Sequence, residues 1–374
     1  MANLNLDYLV HSVPVAPLKI CALPGCETLA YTIDRFLVEF RKNLIKSNPE
    51  KQSPLFGYFS DTYLLDCECP RFGTGESKGQ LMESVRGMDL FILVDICNYS
   101  VTYKRNGHIN HRSPDDHYQN LKRIIAATTG KPHRINVIMP FLYESRQHKR
   151  TARESLDCAV ALQELNNMEV SNILTFDAHD PRLMNAIPLH GFEIFFPTYQ
   201  FLKALLKCVP DLRMDNNHLI IISPNEGAML RRRNYSVMVN GKNPIVAHEF
   251  LGDSVFKKNV VIIDDMISSG ESMIDVAKQL KERGAKDVFI CTTFGLFTNG
   301  LDKFDEYYQK GYIAKIITTD LTYRTPDLIA RPWYAPAEMG KYVANIIDIL
   351  NHDISVDTVR DTTEKINKLL NKYC

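Results

Sequence analysis

Eight short apolar runs punctuate the chain, and they limit the folds open to it more than any other feature. They read LFILV at 90–94, INVIM at 135–139, ILTF at 173–176, EIFF at 193–196, LIII at 219–222, VVII at 260–263, VFIC at 288–291 and IAKII at 313–317. Each is too short for a helix and rich in β-branched or aromatic side chains, the pattern of strands covered on both faces. Helical patterns lie between them. In Ser272–Arg283, Met273, Val276, Ala277 and Leu280 fall at i, i+3, i+4 and i+7, and Gly284 supplies a stop. Further helices are expected over Glu27–Leu44, after a turn at Pro24-Gly25, and over Thr198–Val209. The alternation predicts an α/β fold with largely parallel sheets. A length of 374 residues suggests two domains, with a boundary near 200, giving 1–200 and 201–374. Asp89–Tyr99 and Asn259–Ser269 share an apolar strand, an aspartate and a loop, as two domains of related design would. The polar stretch Tyr103–His117 reads as a surface loop or insertion.

Charge and cysteine usage exclude several classes. Lys+Arg and Asp+Glu both total 44, so the formal net charge is zero, against a dedicated nucleic-acid binder or a polybasic membrane protein. Nine cysteines at irregular spacing, with no export signal, read as free thiols in a reducing compartment, so a cytoplasmic location is expected. No apolar stretch approaches the roughly 20 residues that cross a bilayer.

The segment Val260–Arg283, VVIIDDMISSGESMIDVAKQLKER, carries the most chemistry. A buried strand is expected to end at Asp264-Asp265, followed by a loop of Ser268, Ser269 and Gly270 and a helix from Glu271-Ser272. Backbone N–H groups, serine hydroxyls and a helix N-terminus make an anion pocket. Two carboxylates before it can accept hydrogen bonds from vicinal hydroxyls, so the pattern suits a ribose phosphate. No GK[ST] or GxGxxG accompanies it. Taken alone, the same residues also serve as ordinary helix caps.

The whole string resembles the signature of type I phosphoribosyltransferases and ribose-phosphate pyrophosphokinases, and other segments follow in that family's order. RFGTGESKGQLMESVRGMD at 71–89 resembles the early motif of the pyrophosphokinases, and PFLYESRQHKR at 140–150 is similar to their P-x4-ARQD-basic segment. TFDAHDPRLMNAIPLHGFEIFF at 175–196 resembles the D-L-H-A segment, and LIIISPNEGAM at 219–229 the VVSPD-x-GG strand and loop. The resemblance implies two phosphoribosyltransferase-type α/β domains, assembled as a homo-oligomer. It also implies transfer of diphosphate from ATP to ribose 5-phosphate with Mg2+. Carried onto this chain, it implies ATP contacts at Phe72, Glu76, Arg146 and Gln147 and a metal-linked His179. Ribose phosphate would sit on Asp264, Asp265, Ser268, Ser269, Gly270 and Ser272.

Several family positions differ. Asn225, Thr74, His148 and Ser268 stand where the family has acids. The family's Lys-Arg-Arg catalytic run follows a helix and a strand, whereas Arg231-Arg232-Arg233 comes soon after Gly227. If this triplet stands in for that run, Arg231 and Arg233 are the catalytic pair and one helix-strand unit is missing, which would bare a sheet edge. Two alternatives stand beside the kinase reading. One is a catalytically weakened homologue that binds nucleotide or sugar phosphate and regulates a partner; the other is a phosphoribosyltransferase. Elsewhere, His108, His111 and His117 with Asp115 and Asp116 match no closed zinc spacing. Cys67-x-Cys69 lacks a second pair, and Trp333 reads as a packed or interface aromatic.

Overall fold

Apolar runs of five residues can be satisfied on both faces only inside a layered sheet, and the chain builds two such sheets. The computed structural model describes residues 12–47, 58–215, 217–223, 245–246 and 254–373. The chain divides into two compact units, Met1–Phe195 with Gly340–Arg360, and Phe196–Met339 with Asp361–Cys374.

In the first unit, β1 (Leu18–Ala22) leads into α1 (Glu27–Ser47) and then β2 (Leu64–Leu65). A small antiparallel pair, β3 (Cys67–Glu68) and β4 (Gln80–Leu81), precedes the fully buried β5 (Asp89–Leu93). Next come β6 (Thr102–Arg105), β7 (His108–His111), α2 (Pro114–Ala127) and β8 (Arg134–Ile138). The unit continues through α3 (Asp157–Asn167), β9 (Asn172–Phe176), a 3-10 turn at Pro181–Ala186 and β10 (Gly191–Phe195). Six parallel strands lie in the order β10-β9-β8-β5-β1-β2.

The stretch expected as a surface loop, Tyr103–His117, is ordered secondary structure. Strands β6 and β7 form an antiparallel hairpin, closed by Asn106 (φ 50°) and Gly107 (φ 81°). Two left-handed residues between short strands are the geometry of a type I′ turn. Helix α2 then starts on Pro114 behind a capping box, in which the Ser113 side chain takes the Asp116 N–H and Asp116 takes that of Ser113.

In the second unit, α4 (Thr198–Cys208) precedes β11 (Leu219–Ser223), β12 (Ile245–Val246) and β13 (Asn259–Ile267). Then come α5 (Glu271–Glu282), β14 (Val288–Gly295), α6 (Asp302–Gln309), β15 (Lys315–Thr319), α7 (Pro326–Ile329) and β16 (Tyr334–Ala337). All pairs are parallel, in the order β12-β11-β13-β14-β15-β16. Helix α5 buries Met273, Val276, Ala277 and Leu280, the stripe its periodicity predicts, together with Ile274. The two sheets share one topology: β5 and β13 occupy equivalent places, beside the first strand of each unit. The sequence similarity between Asp89–Tyr99 and Asn259–Ser269 therefore falls on matching strands.

The chain returns to the first unit as α8 (Gly340–Asn351) and α9 (Asp357–Arg360), before α10 (Thr363–Tyr373). Arg41 of α1 reaches Asp348 of α8 at 2.9 Å, and both side chains are almost fully buried. Burial works against the Arg41 cation, but the negative charge of Asp348 outweighs it, so the Arg41 guanidinium keeps its proton more firmly than usual. His352 sits beside this pair, with Nδ1 2.7 Å from the Asp348 carbonyl and Nε2 3.1 Å from the Tyr58 hydroxyl. All eight described cysteines are free, and none is exposed. Among the described residues, no helix is long and apolar enough to cross a membrane.

Removing one partner of a buried ion pair leaves the other charge uncompensated, at a cost of about 3–5 kcal/mol. Asp348→Ala should therefore lower protection of the β1 and β5 amides by a matching amount in hydrogen exchange, with the second unit much less affected. Separately, burial holds the imidazoles of His117 and His352 below the ordinary value of 6.5. The unfolded chain then binds more protons as the pH falls from 6.5 toward the lower folded values, so stability declines through that window. Thermal midpoints measured from pH 8 to 5 should be flat above that value and fall below it if these two groups govern the window.

Candidate functional site

In open parallel sheets, ligands bind outside the carboxyl ends of the strands, where the strand order reverses. The second unit reverses between β11 and β13, and the loop after β13 carries the predicted ribose-phosphate residues. Asp264 and Asp265 are buried, at 8% and 4% exposure. Their own backbone fixes them: Asp264 Oδ1 accepts the Asp265 N–H and Asp265 Oδ1 accepts the Met266 N–H, each at 3.0 Å. The strand does not end at these aspartates. It runs on to Ile267, because Met266 and Ile267 still pair with Phe294 and Gly295 of β14.

Ser268 and Ser269 follow, half-buried, and the Ser268 carbonyl accepts the Thr298 N–H at 3.0 Å. Gly270 then caps α5 in the left-handed region (φ +82°), and a Cβ there would lie 2.2 Å from Phe304 Cζ. Among the described residues no side chain caps α5, so its first N–H groups are available to an anion, with Ser272 exposed on the first turn. Phe304 belongs to an aromatic group with Phe297 (centroids 5.0 Å apart) and the fully buried Trp333 (5.7 Å). Trp333 Nε1 donates to Asp305 at 2.6 Å. These aromatics underpin the loop. Sequence reasoning gave them no such role, since the only signal is aromatic residues scattered over 297–333.

The first unit holds the predicted nucleotide segments. Phe72–Glu76 is a tight turn: the Phe72 N–H meets the Glu76 carbonyl at 2.8 Å and the Gly75 N–H meets the Phe72 carbonyl at 2.9 Å. Phe72 and Glu76 are both exposed, and Thr74 donates its hydroxyl to Glu76 at 3.0 Å. Arg146 and Gln147 are exposed on another turn, where Gln147 N–H meets the Glu144 carbonyl at 2.8 Å and Glu144 is left-handed (φ 54°).

Adjacent acids on the first turn of α2 tie down both segments. Asp116 accepts Arg71 Nη2 at 2.7 Å, and Asp115 accepts the Tyr143 hydroxyl at 2.7 Å. The Tyr143 ring stacks on Tyr118 with centroids 4.3 Å apart. Partial burial opposes ionisation of Asp116, but hydrogen bonds from Ser113 and Arg71 outweigh it and hold its carboxyl below the usual range. The nearby histidines are engaged as well: His111 Nδ1 lies 2.6 Å from the Tyr99 carbonyl and His117 Nε2 2.7 Å from that of Asn98. Among the described residues, no group of three or more His, Cys, Asp or Glu side chains is placed to hold a metal ion.

His179 follows β9 in a loop whose first residue, Asp177, is buried and left-handed (φ 42°). Strain of that kind in a non-glycine residue persists only where the surroundings impose it. The His148 ring lies 5.3 Å from that of His179, and its Nε2 is 3.6 Å from Asp180 Oδ2. Two family positions far apart in the chain thus meet here. Asp180 is gripped by Arg182, whose hydrogen bonds pull its carboxyl down to about 2. Magnesium favours oxygen ligands, and two imidazoles beside an arginine-paired carboxylate do not make a protein-only magnesium site.

Arg231, Arg233, Asn225 and Glu226 lie outside the described residues. The edge of β11 is covered by β12 through the pairs Ile222↔Ile245 and Ser223↔Val246, and β12 comes after the arginine triplet in the chain.

Comparison with known proteins agrees with this architecture. Residues 18–168 match the family model of the N-terminal domain of ribose phosphate pyrophosphokinase, and residues 217–322 match that of the phosphoribosyl transferase domain. The ribose-phosphate pyrophosphokinase of Vibrio parahaemolyticus is 25% identical over 311 residues, covering 79% of this chain and 91% of its own. That of Ureaplasma parvum is 27% identical over 248 residues, covering 62% and 72%. The crystal structure of phosphoribosylpyrophosphate synthetase from Mycobacterium smegmatis matches the fold with a TM-score of 0.69 at 19% identity, covering 90% of this chain and 99% of that one. With both domain models matched in order on two sheets of the expected kind, the chain belongs to the ribose-phosphate pyrophosphokinase family.

Proposed function

We propose that this chain transfers the terminal diphosphate of ATP to O1 of ribose 5-phosphate, releasing AMP and phosphoribosyl pyrophosphate. O1 forms a bond to the β-phosphorus, the bridge between the α- and β-phosphorus atoms breaks, and the hydroxyl proton is lost. The observation that carries this reading is the cradle at the reversal of the second sheet. There, buried Asp264 and Asp265 stand one loop away from the uncapped start of α5.

In this reading the 5-phosphate sits against Ser268, Ser269, Gly270 and Ser272, and the two aspartates hold the ring hydroxyls. Phe72, Glu76, Arg146 and Gln147 hold ATP, and the arginine supplies a cationic fork for phosphate or adenine. Magnesium would arrive on the nucleotide's phosphate oxygens, where its charge neutralises the transferred group. Assembly into a homo-oligomer is part of the same proposal, because Phe72 and Glu76 extend outward on an exposed turn. The weakened-homologue reading is favoured by one observation: His148 replaces an acid beside His179, and the neighbouring Asp180 is already paired with Arg182.

Purified protein with ATP, magnesium and ribose 5-phosphate should form AMP and phosphoribosyl pyrophosphate in equal amounts, followed by chromatography. Binding of either substrate without AMP release would establish the regulatory reading instead. Asp264→Asn should raise the KM for ribose 5-phosphate by about tenfold or more, the loss of a charge-assisted hydrogen bond, while ATP affinity stays within about twofold. Equal loss of both with the fold intact would contradict the assignment. Turnover that survives Arg231→Ala and Arg233→Ala unchanged would remove that pair from the catalytic machinery. Gly270→Ala meets both a left-handed backbone and the Phe304 ring. It should abolish ribose 5-phosphate binding in calorimetry while nucleotide binding persists.

A further inference from the structure

The first unit contains a buried concentration of positive charge whose hydrogen-bond donors outnumber the acceptors around them. Arg112, the residue between β7 and the capping box of α2, is 8% exposed. Its Nη2 donates to the Cys69 carbonyl at 3.1 Å, while among the described residues its Nε and Nη1 meet no acceptor. Arg71 donates Nη1 to the Gly75 carbonyl and Nη2 to Asp116, each at 2.7 Å, and lies over the Tyr103 ring at 4.5 Å. Its Nε also meets no acceptor.

Two further buried groups share this lack. Ser77 Oγ, on the residue bridged to Arg71, has no partner among the described residues. Nor has Asn120 Nδ2, although Asn120 Oδ1 takes Arg123 Nη1 at 2.9 Å. Asp116, Asn120 and Arg123 fall at i, i+4 and i+7 on α2, and that stripe faces the segment running from Cys69 to β4. A Cβ on Gly79 would come within 2.5 Å of the Arg123 carbonyl oxygen. The Cys69 thiol registers the same gathering: burial pushes it up to about 11, while Arg112, Arg123 and Arg71 all pull it back.

Acceptors are scarce. Of the nearby carboxylates, Asp116 is taken by Arg71 and the Ser113 N–H, and Glu27 by the Gly25 N–H. The guanidiniums of Arg71, Arg112 and Arg123 therefore face two carboxylates that are already engaged. Leaving a buried cation without a counter-charge costs several kcal/mol, and each unmet donor adds to it. Every unmatched group here is a donor or a hydroxyl able to donate, so the complementary partner is an anion. Because the unmatched atoms are shut off from solvent and Gly79 packs so tightly on α2, it must be small.

We propose that one inorganic anion of halide size is built into the first unit, held by Arg112 Nε and Nη1, Arg71 Nε, Asn120 Nδ2 and Ser77 Oγ. This site is distinct from the sugar-phosphate cradle and does not depend on the proposed reaction. Through Arg71 and the Gly75 carbonyl, it fastens the base of the Phe72–Glu76 turn.

The test uses the whole chain. Crystals grown in sodium bromide should show an anomalous peak within hydrogen-bond distance of Arg112 and Arg71. In parallel, thermal midpoints are measured at fixed ionic strength in chloride, bromide, phosphate and gluconate. Chloride and bromide should raise the midpoint saturably over gluconate, and phosphate should not. Arg112→Gln should weaken that halide dependence by about tenfold or more, the loss of a charge-assisted hydrogen bond. Ser77→Ala should weaken it less. No bromide peak at this position overturns the proposal, whether or not the variants fold. So does a halide effect unchanged in Arg112→Gln, and stabilisation by phosphate alone would overturn the assigned size.

Discussion

The carboxylate of Asp89 is the point on which the first unit closes. It sits at the amino end of β5, fully buried, and takes Arg134 Nε at 2.9 Å and Nη2 at 2.8 Å. It also takes Asn136 Nδ2 at 2.8 Å and Asn351 Nδ2 at 2.9 Å. Four donors from β8 and from the end of the returning helix α8 converge on one side chain. A buried carboxylate is costly unless its lone pairs are all satisfied, and here they are. Arg134 extends the contact to the Leu350 carbonyl at 2.6 Å, and Arg41 with Asp348 repeats the arrangement one helix away. Polar anchoring of this sort specifies a single docking for α8 where apolar packing alone would tolerate several.

This anchoring lies at the opposite edge of the sheet from the turns that carry the proposed site residues. Parallel strands all point one way, so each sheet has an amino edge that can be locked and a carboxyl edge that delivers loops. In the first unit the locked edge holds Asp89, Arg134 and Asn136, while the turns bearing Arg146 and His179 follow the carboxyl ends of β8 and β9. In the second unit the cradle follows β13. The fastened groups and the proposed site residues are thus separated along the strands, and departures from the family pattern such as His148 and Ser268 lie beyond the strand ends.

Much of this was legible in the amino-acid order because it rests on local pattern. The strands over 90–94, 135–139, 173–176 and 219–222 are apolar runs that only burial on two faces explains, and they sit within a residue of their predicted places, while the runs at 260–263 and 288–291 are the opening parts of strands that continue to Ile267 and Gly295. The α5 stripe is equally plain. The hairpin at 102–111 was missed although its signal was present: Asn106-Gly107 stands between TYKR and HINH, and Asn-Gly between short runs is the strongest local mark of a type I′ turn. Its polar composition hid it, because neither strand has an apolar face. The joint work of Asp115 and Asp116 was out of reach for a different reason. Their partners, Arg71 and Tyr143, are separated by 72 positions, and only the packing of α2 brings them to one helical turn. The place of β12 was hidden too, since a two-residue strand has no periodicity.

The return of residues 340–360 to the first unit has a bearing on biosynthesis. The polypeptide emerging from the ribosome carries Arg41, Asp89 and Arg134 early, but Asp348 and Asn351 come out only after every strand of the second sheet has been made. The amino-terminal sheet must wait, with charged groups unsatisfied, while the carboxyl-terminal sheet can assemble within the delay. Premature termination anywhere before 348 would strand the nascent chain in that unfinished condition, a natural substrate for chaperones and proteases.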